Sequence, residues 1–319
     1  MQNHSKSKKR ESLQILEYSA LKSVAFLARI MPLKVLRGMS IALGNLMYWL
    51  LPGRRRIAIE NLHRAFDGTK SASDIKRLAL ESCRSFFLTA AETLKFHFGG
   101  FDLGLLAAHG YTIQEMRTLE MLFQKARRIH QESNGCIFVT PHIGNWEVLL
   151  HVSASIGIPL AVVVRPLDNA YIEDLLYKNR TSGGQILVPK KNAWFMLQSV
   201  LRQGKSIALL PDQSTKKGLS VNFFGSKALT TPIPALLAVT HKKPIVVVAC
   251  CRGASDQHFT GVVSDPIEVG EYKSEKAEII RLTEEMNRQM EKIIREFPDQ
   301  YLWVHKRWKT YEIKRELFS

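Results

Sequence analysis

Five short β-branched runs constrain what this chain can fold into. "CIFVT" (136–140), "LAVVV" (160–164), "QILVP" (185–189), "SIALL" (206–210) and "PIVVVAC" (244–250) are almost continuously apolar, and helical patterns lie between them. A strand that is apolar on both faces has to be covered on both, and intervening helices supply the cover. This predicts an α/β fold with a mostly parallel central sheet flanked by helices. "NAWFMLQSVLRQG" (192–204) reads as one such helix, ended by Gly204. From about 275 to 297, Ile279, Leu282, Met286, Met290, Ile293 and Phe297 recur on one side, which predicts a long helix closing one face of the sheet.

In open parallel sheets, ligands bind beyond the carboxyl ends of the strands. Here the runs lead into Pro141-His142, Arg165-Pro166, Pro189-Lys190 and Pro211-Asp212-Gln213. Three of these exits place a histidine, an arginine and an aspartate on one rim, each beside a proline that directs the chain. His142 is followed five residues on by Glu147 in "PHIGNWE". With 10 histidines and 29 acidic residues in 319, about one such pair arises by chance. Position at a strand exit, not spacing, therefore carries the argument. If His142 sits in a turn before a helix starting near Gly144, the Glu147 carboxylate reaches the imidazole, fixes its tautomer and raises its basicity. That is a general base for an alcohol. No serine stands in a nucleophile-elbow sequence, so direct transfer to a hydroxyl is the simpler chemistry. Asp212 either orients Arg165 or a substrate hydroxyl, or is a turn aspartate after Pro211.

The four cysteines, Cys83, Cys136, Cys250 and Cys251, show neither metal-ligand nor disulfide spacing. Neither a metal nor a cofactor is expected. The net charge is +16, and residues 1–64 hold twelve Lys and Arg against three Glu. A nucleic-acid-binding protein would explain that excess, but it predicts interleaved basic and aromatic residues or a known motif, and neither is present. Residues 13–51 instead form two apolar segments split by Pro32. The second, "GMSIALGNLMYWLLPG" (38–53), has no charge, ends in Tyr48 and Trp49, and precedes Arg54-Arg55-Arg56. It is shorter than the ~20 residues of a straight membrane span. Aromatics followed by a basic cluster are nevertheless the pattern of a segment anchored at a cytoplasmic-leaflet interface. The expected organisation is a basic tail with apolar membrane-anchoring helices over 1–56, then a sheet-containing domain over 57–319. Residues 67–133 carry no motif.

Several blocks together resemble one family. They are His142 with Glu147, Arg165 within "RPLDN", "LLPDQSTKKGLSVNFFGSKALTTPIPALLAVTHKKPIVVVAC" (209–250), "PDQYLWVHKRWK" (298–309) and "RRRIAIENLHRAF" (54–66). The chain resembles the bacterial late acyltransferases of lipid A biosynthesis, the lauroyl/myristoyl transferases within the lysophospholipid acyltransferase superfamily. The resemblance implies that 57–319 is an acyltransferase domain. It would move a fatty acyl chain from acyl carrier protein to a hydroxyl of a Kdo-lipid IVA-like lipid A precursor, at the cytoplasmic face of a bacterial inner membrane. His142 and Glu147 are then the catalytic dyad, Arg165, Asp212, Gln213, Lys306 and Arg307 bind substrate, and Lys306, Arg307 and Lys309 meet lipid phosphates. Expected partners are acyl carrier protein, an anionic glycolipid and the membrane, and no nucleic acid. Trp303 and Trp308 are expected to pack. The alternatives are acylation of another glycolipid, a lysophospholipid or glycerol phosphate, hydrolysis by the same His/Glu pair, and the nucleic-acid-binding protein.

Overall fold

All five apolar runs form strands of one sheet. The structure, a computed structural model, describes residues 2–99, 113–181, 183–253 and 259–309. Among the described residues, five helices precede the first strand: α1 (Gln2–Ile30), α2 (Leu33–Leu50), α3 (Pro52–Ala65), α4 (Ala72–Gly99) and α5 (Ile113–Glu132). Strands and helices then alternate through β1 (Ile137–Val139), α6 (Val148–Ser155), β2 (Leu160–Val164), α7 (Ala170–Thr181), β3 (Ile186–Pro189), α8 (Ala193–Arg202) and β4 (Ser206–Leu209). A hairpin, β5 (Leu219–Phe223) and β6 (Ser226–Thr230), interrupts the alternation before α9 (Ile233–His241), β7 (Ile245–Arg252), β8 (Phe259–Val263) and α10 (Glu275–Glu296).

The sheet order is β3-β2-β4-β1-β7-β8. All pairs are parallel except β7–β8, and the hairpin forms a separate two-stranded sheet. Neither the hairpin nor the antiparallel edge strand was expected from the sequence. β5 alternates buried and exposed residues, as a one-sided antiparallel strand does, whereas β7 is buried at every position.

The two faces of the sheet meet different helices. Ile137 and Val139 of β1, Ala161 of β2, Ile207 of β4 and Ile245 and Val247 of β7 enter the larger core with residues of α3, α4, α8, α9 and α10. The expected stripe on α10 is buried there from Ile279 to Ile293. Ser274 caps that helix by accepting a hydrogen bond from the Ala277 backbone N–H. Neighbouring positions, Phe138, Leu160, Val246 and Val248, point the other way and meet α5 and α6 in a second, smaller cluster.

Pro32 separates α1 from α2, as the sequence implied. Among the described residues no helix is long and apolar enough to cross a membrane. The Arg54–Arg56 cluster lies in α3, which runs on to Ala65.

Candidate active site

β1 and β4 are neighbours with Val139 opposite Leu209. Three residues beyond each stand His142 and Asp212, so the register of the sheet carries straight into the site. The Asp212 carboxylate accepts one hydrogen bond from the His142 backbone N–H (2.9 Å) and another from its ring Nδ1 (2.7 Å). Asp212 is 2% exposed and His142 17%. An ionised carboxylate can only accept, so Nδ1 carries the proton and, in the neutral ring, Nε2 keeps its lone pair. The Gln213 side-chain amide lies 3.3 Å from that Nε2. The Trp146 ring meets the imidazole edge-on, with centroids 5.2 Å apart.

Burial alone would lower the His142 pKa. The charge and hydrogen bond of Asp212, with a further contribution from Glu147, outweigh burial and hold it above the ordinary histidine value. Burial pushes the Asp212 carboxyl up, but the charge and hydrogen bonds of His142, then Arg307, bring it below the usual aspartate value. Tyr301, buried beside Asp212, has its hydroxyl held protonated, first by desolvation and then by that carboxylate.

The expected His142–Glu147 contact is therefore corrected: the partner of His142 is Asp212. α6 starts at Val148, one turn later than expected, with Glu147 at its N-cap. From there the Glu147 carboxylate accepts from Arg180 Nη2 at 3.2 and 3.3 Å. No pattern in the sequence marks Arg180. It sits in the last turn of α7, with no strand exit to mark it, and its Nε is buried without a hydrogen-bond partner.

Glu147, Arg180 and Arg165 line one cavity of about 360 Å³. Its wall is the smaller cluster's face of the sheet: Phe138 of β1, Leu160 and Val162 of β2, Ala208 of β4 and Val248 of β7. Phe123 of α5, Val152 of α6 and Ile156 just after α6 close it from the other side. The cavity thus runs from the start of β2 to the exit at Arg165. Thr140 and Trp146, on either side of His142 in the chain, also line it. An apolar slot lined also by two guanidinium groups and two carboxylates, Glu147 and Glu173, with the His142 imidazole against the lining Trp146, suits a long hydrocarbon with a polar reacting head.

The other expected site residues divide. Arg165 is exposed on the rim. Lys306 is exposed, but Arg307 is only 2% exposed. The Arg307 guanidinium donates to Leu229 O (3.0 Å) and Thr230 Oγ1 (2.6 Å) and stacks over Phe223. It ties the C-terminal segment to the hairpin and faces no solvent, so the expectation that it meets lipid phosphates is corrected. Trp303 is fully buried, as expected.

The C-terminal block instead backs the His142 loop. Leu302 N–H donates to His142 O (2.9 Å), and Ile143 pairs with Tyr301 as an isolated bridge. Asn61 of α3 holds the same segment through Trp303 O and His305 O. Gly144 has φ +56°, and a Cβ there would run into the Cys250 carbonyl oxygen, so the loop requires glycine at this point.

Comparison with known proteins gives a consistent picture. Residues 4–310 match the family described as bacterial lipid A biosynthesis acyltransferase. The chain is 23% identical over 283 residues to the lipid A biosynthesis palmitoleoyltransferase of Escherichia coli (strain K12), covering 88% of this chain and 87% of that protein. It is 27% identical over 180 residues to a lipid A biosynthesis acyltransferase of Haemophilus influenzae, covering 55% and 54% of the two chains.

Proposed function

The chain belongs to the bacterial lipid A biosynthesis acyltransferases, and from that premise we propose a donor, a base and a place of action. The donor is a fatty acyl thioester of acyl carrier protein. The acceptor is a hydroxyl of an anionic, Kdo-lipid IVA-like precursor. The observation that carries this reading is the His142–Asp212 pair, 2.7 Å apart, beside the polar end of an otherwise apolar cavity.

In this mechanism the acyl chain fills the cavity and its thioester carbonyl lies near Arg165 and Arg180. His142 Nε2 takes the proton of the acceptor hydroxyl as that oxygen attacks the carbonyl. Asp212 holds Nδ1–H and stabilises the imidazolium that forms. The tetrahedral intermediate carries its negative charge on the former carbonyl oxygen, where preorganised guanidinium donors stabilise it. Collapse expels the thiolate, and the imidazolium supplies its proton. Glu147 acts at one remove, holding Arg180 at the mouth and raising the basicity of His142 through its charge. Gln213 orients the imidazole face, and Lys306 supplies positive charge to the acceptor's phosphates.

The place of action is the cytoplasmic face of the inner membrane. Phe26, Leu27 and Ile30 of α1 and Leu46, Trp49 and Leu50 of α2 are all more than half exposed. Arg55 stacks over Tyr48 and Trp49 at the end of α2. An apolar helical face flanked by basic residues favours an anionic interface, with the helices lying in its plane.

The test is acyl transfer by purified protein from acyl carrier protein thioester to lipid A precursor, read by mass spectrometry. An added acyl chain on the precursor supports the reading. Thioester cleavage with no acylated product would replace it with hydrolysis.

A further inference from the structure

The region without a sequence motif contributes a buried polar stripe. Ser82, Ser85, Thr89 and Glu92 of α4 follow each other at helical spacing and are all buried. Facing them is Arg252 at the end of β7. Its Nε and Nη2 donate to the two Glu92 carboxylate oxygens at 3.0 and 2.7 Å, side-on and bidentate. Its Nη1 donates to Ser85 Oγ (3.1 Å), and Nη2 also donates to Thr89 Oγ1 (2.8 Å). The side chains of both ions are under 5% exposed.

This network does not end at the ion pair. Glu92 Oε2 also accepts from Asn145 Nδ2 (3.0 Å), and Asn145 Oδ1 accepts from the Val148 backbone N–H at the start of α6. Thr89 Oγ1 donates to Gly144 O (2.7 Å). The Gln300 side chain exchanges two hydrogen bonds with the Arg252 backbone, and the Gln300 carbonyl accepts from Gly144 N–H. The Glu92, Thr89 and Gln300 carbonyl contacts reach Gly144 and Asn145, between His142 and the cavity-lining Trp146 and Glu147.

A buried ion pair is weak support for stability, because desolvation consumes most of its Coulomb gain and a well-packed apolar pair often does as well. Its specific product here is direction: the carboxylate accepts directly from Asn145, and the guanidinium orients Thr89, whose hydroxyl donates to Gly144 O, which no apolar pair can do. Resting on the proposed acyl transfer, we propose that Glu92 and Arg252 are positioning residues that clamp the 144–148 loop and so set the distance from His142 to the carbonyl held at Arg165 and Arg180.

Two variants test this in the full chain, each assayed well below its own melting temperature. Glu92→Gln leaves the buried guanidinium uncompensated, and Glu92→Leu with Arg252→Met replaces the pair by apolar groups of similar size. The double variant should melt close to the wild type, whereas Glu92→Gln should melt lower. Both should lose roughly ten- to one-hundredfold in kcat, the scale of a small misplacement at a reacting centre. KM should stay within about twofold. Amides 144–148 should exchange hydrogen faster in both. Wild-type kcat in the double variant would overturn the clamp and leave the pair as core filler. Wild-type exchange at 144–148 would overturn it as well. Should the wild-type chain transfer no acyl group, the functional reading fails separately and the exchange experiment alone decides the clamp.

Discussion

The two faces of the central sheet are made by the same strands and yet do different things. On one face Ile137, Ala161, Ile207 and Val247 pack with α8, α9 and α10 in the larger buried core. On the other, Phe138, Leu160, Val162 and Ala208 meet α5 and the eight-residue α6, which leave about 360 Å³ open. Strand alternation supplies apolar residues to both faces alike. The length and placement of the covering helices decide which becomes core and which becomes a site. The polar machinery sits where the hollow face reaches the carboxyl ends of the strands.

The sharpest way to break this comparison is at its rim. His142→Ala should cost about 10²–10⁴ in kcat, the range of a positioned general base. Asp212→Asn should lose nearly as much, and the double variant should be no worse than His142→Ala, because groups acting as one unit are non-additive. Multiplicative losses in that steady-state assay would show two independent roles. Next in size, Arg165→Ala and Arg180→Ala should each lower kcat by roughly one hundredfold if they stabilise transition-state charge. A change confined to KM would reassign either one to uniform binding.

Paired substitutions compare the faces directly. Ala161→Leu adds volume to the filled face and should destabilise by about 1–3 kcal/mol in thermal or urea unfolding. Ala208→Leu adds the same volume to the cavity wall, should cost clearly less, and should shift preference towards shorter acyl donors. Each methylene excluded from the cavity is worth ~0.8 kcal/mol, about fourfold in kcat/KM between adjacent chain lengths. Equal destabilisation at the two positions would mean that the faces are not differently filled.

The smallest effect is on pH dependence. Burial pulls the His142 pKa down, and Asp212 and Glu147 raise it beyond that, above the ordinary histidine value. Because the base form is required, kcat/KM should rise with pH through a limb above the ordinary histidine value, and Asp212→Asn should move that limb to lower pH. The stability sign is opposite. A raised histidine stabilises fully below its unfolded value and loses that contribution as pH rises through its folded value. His142→Ala should therefore cost most stability in acid and least above the limb.

Much of this was legible in the residues. The β-branched runs fixed five strands because apolar content on both faces admits little else, and the stripe from Ile279 to Ile293 announced α10 by its period. His142, Arg165 and Asp212 were visible because each follows a strand, and strand ends are where such sheets place their sites. Which carboxylate faces His142 was not legible. Glu147 is five residues away in the chain and Asp212 seventy, but the order β2-β4-β1 puts Asp212 next door in register. Arg180 and Glu92 lie in helices whose patterns look ordinary, and Arg307 looked like a surface cation until the hairpin covered it. Local pattern determines which residues become strands, helices and turns, because backbone sterics and hydrophobic period act over a few residues. Strand order, and with it every ion pair between distant segments, is decided only when the layers pack and each buried charge must find a partner.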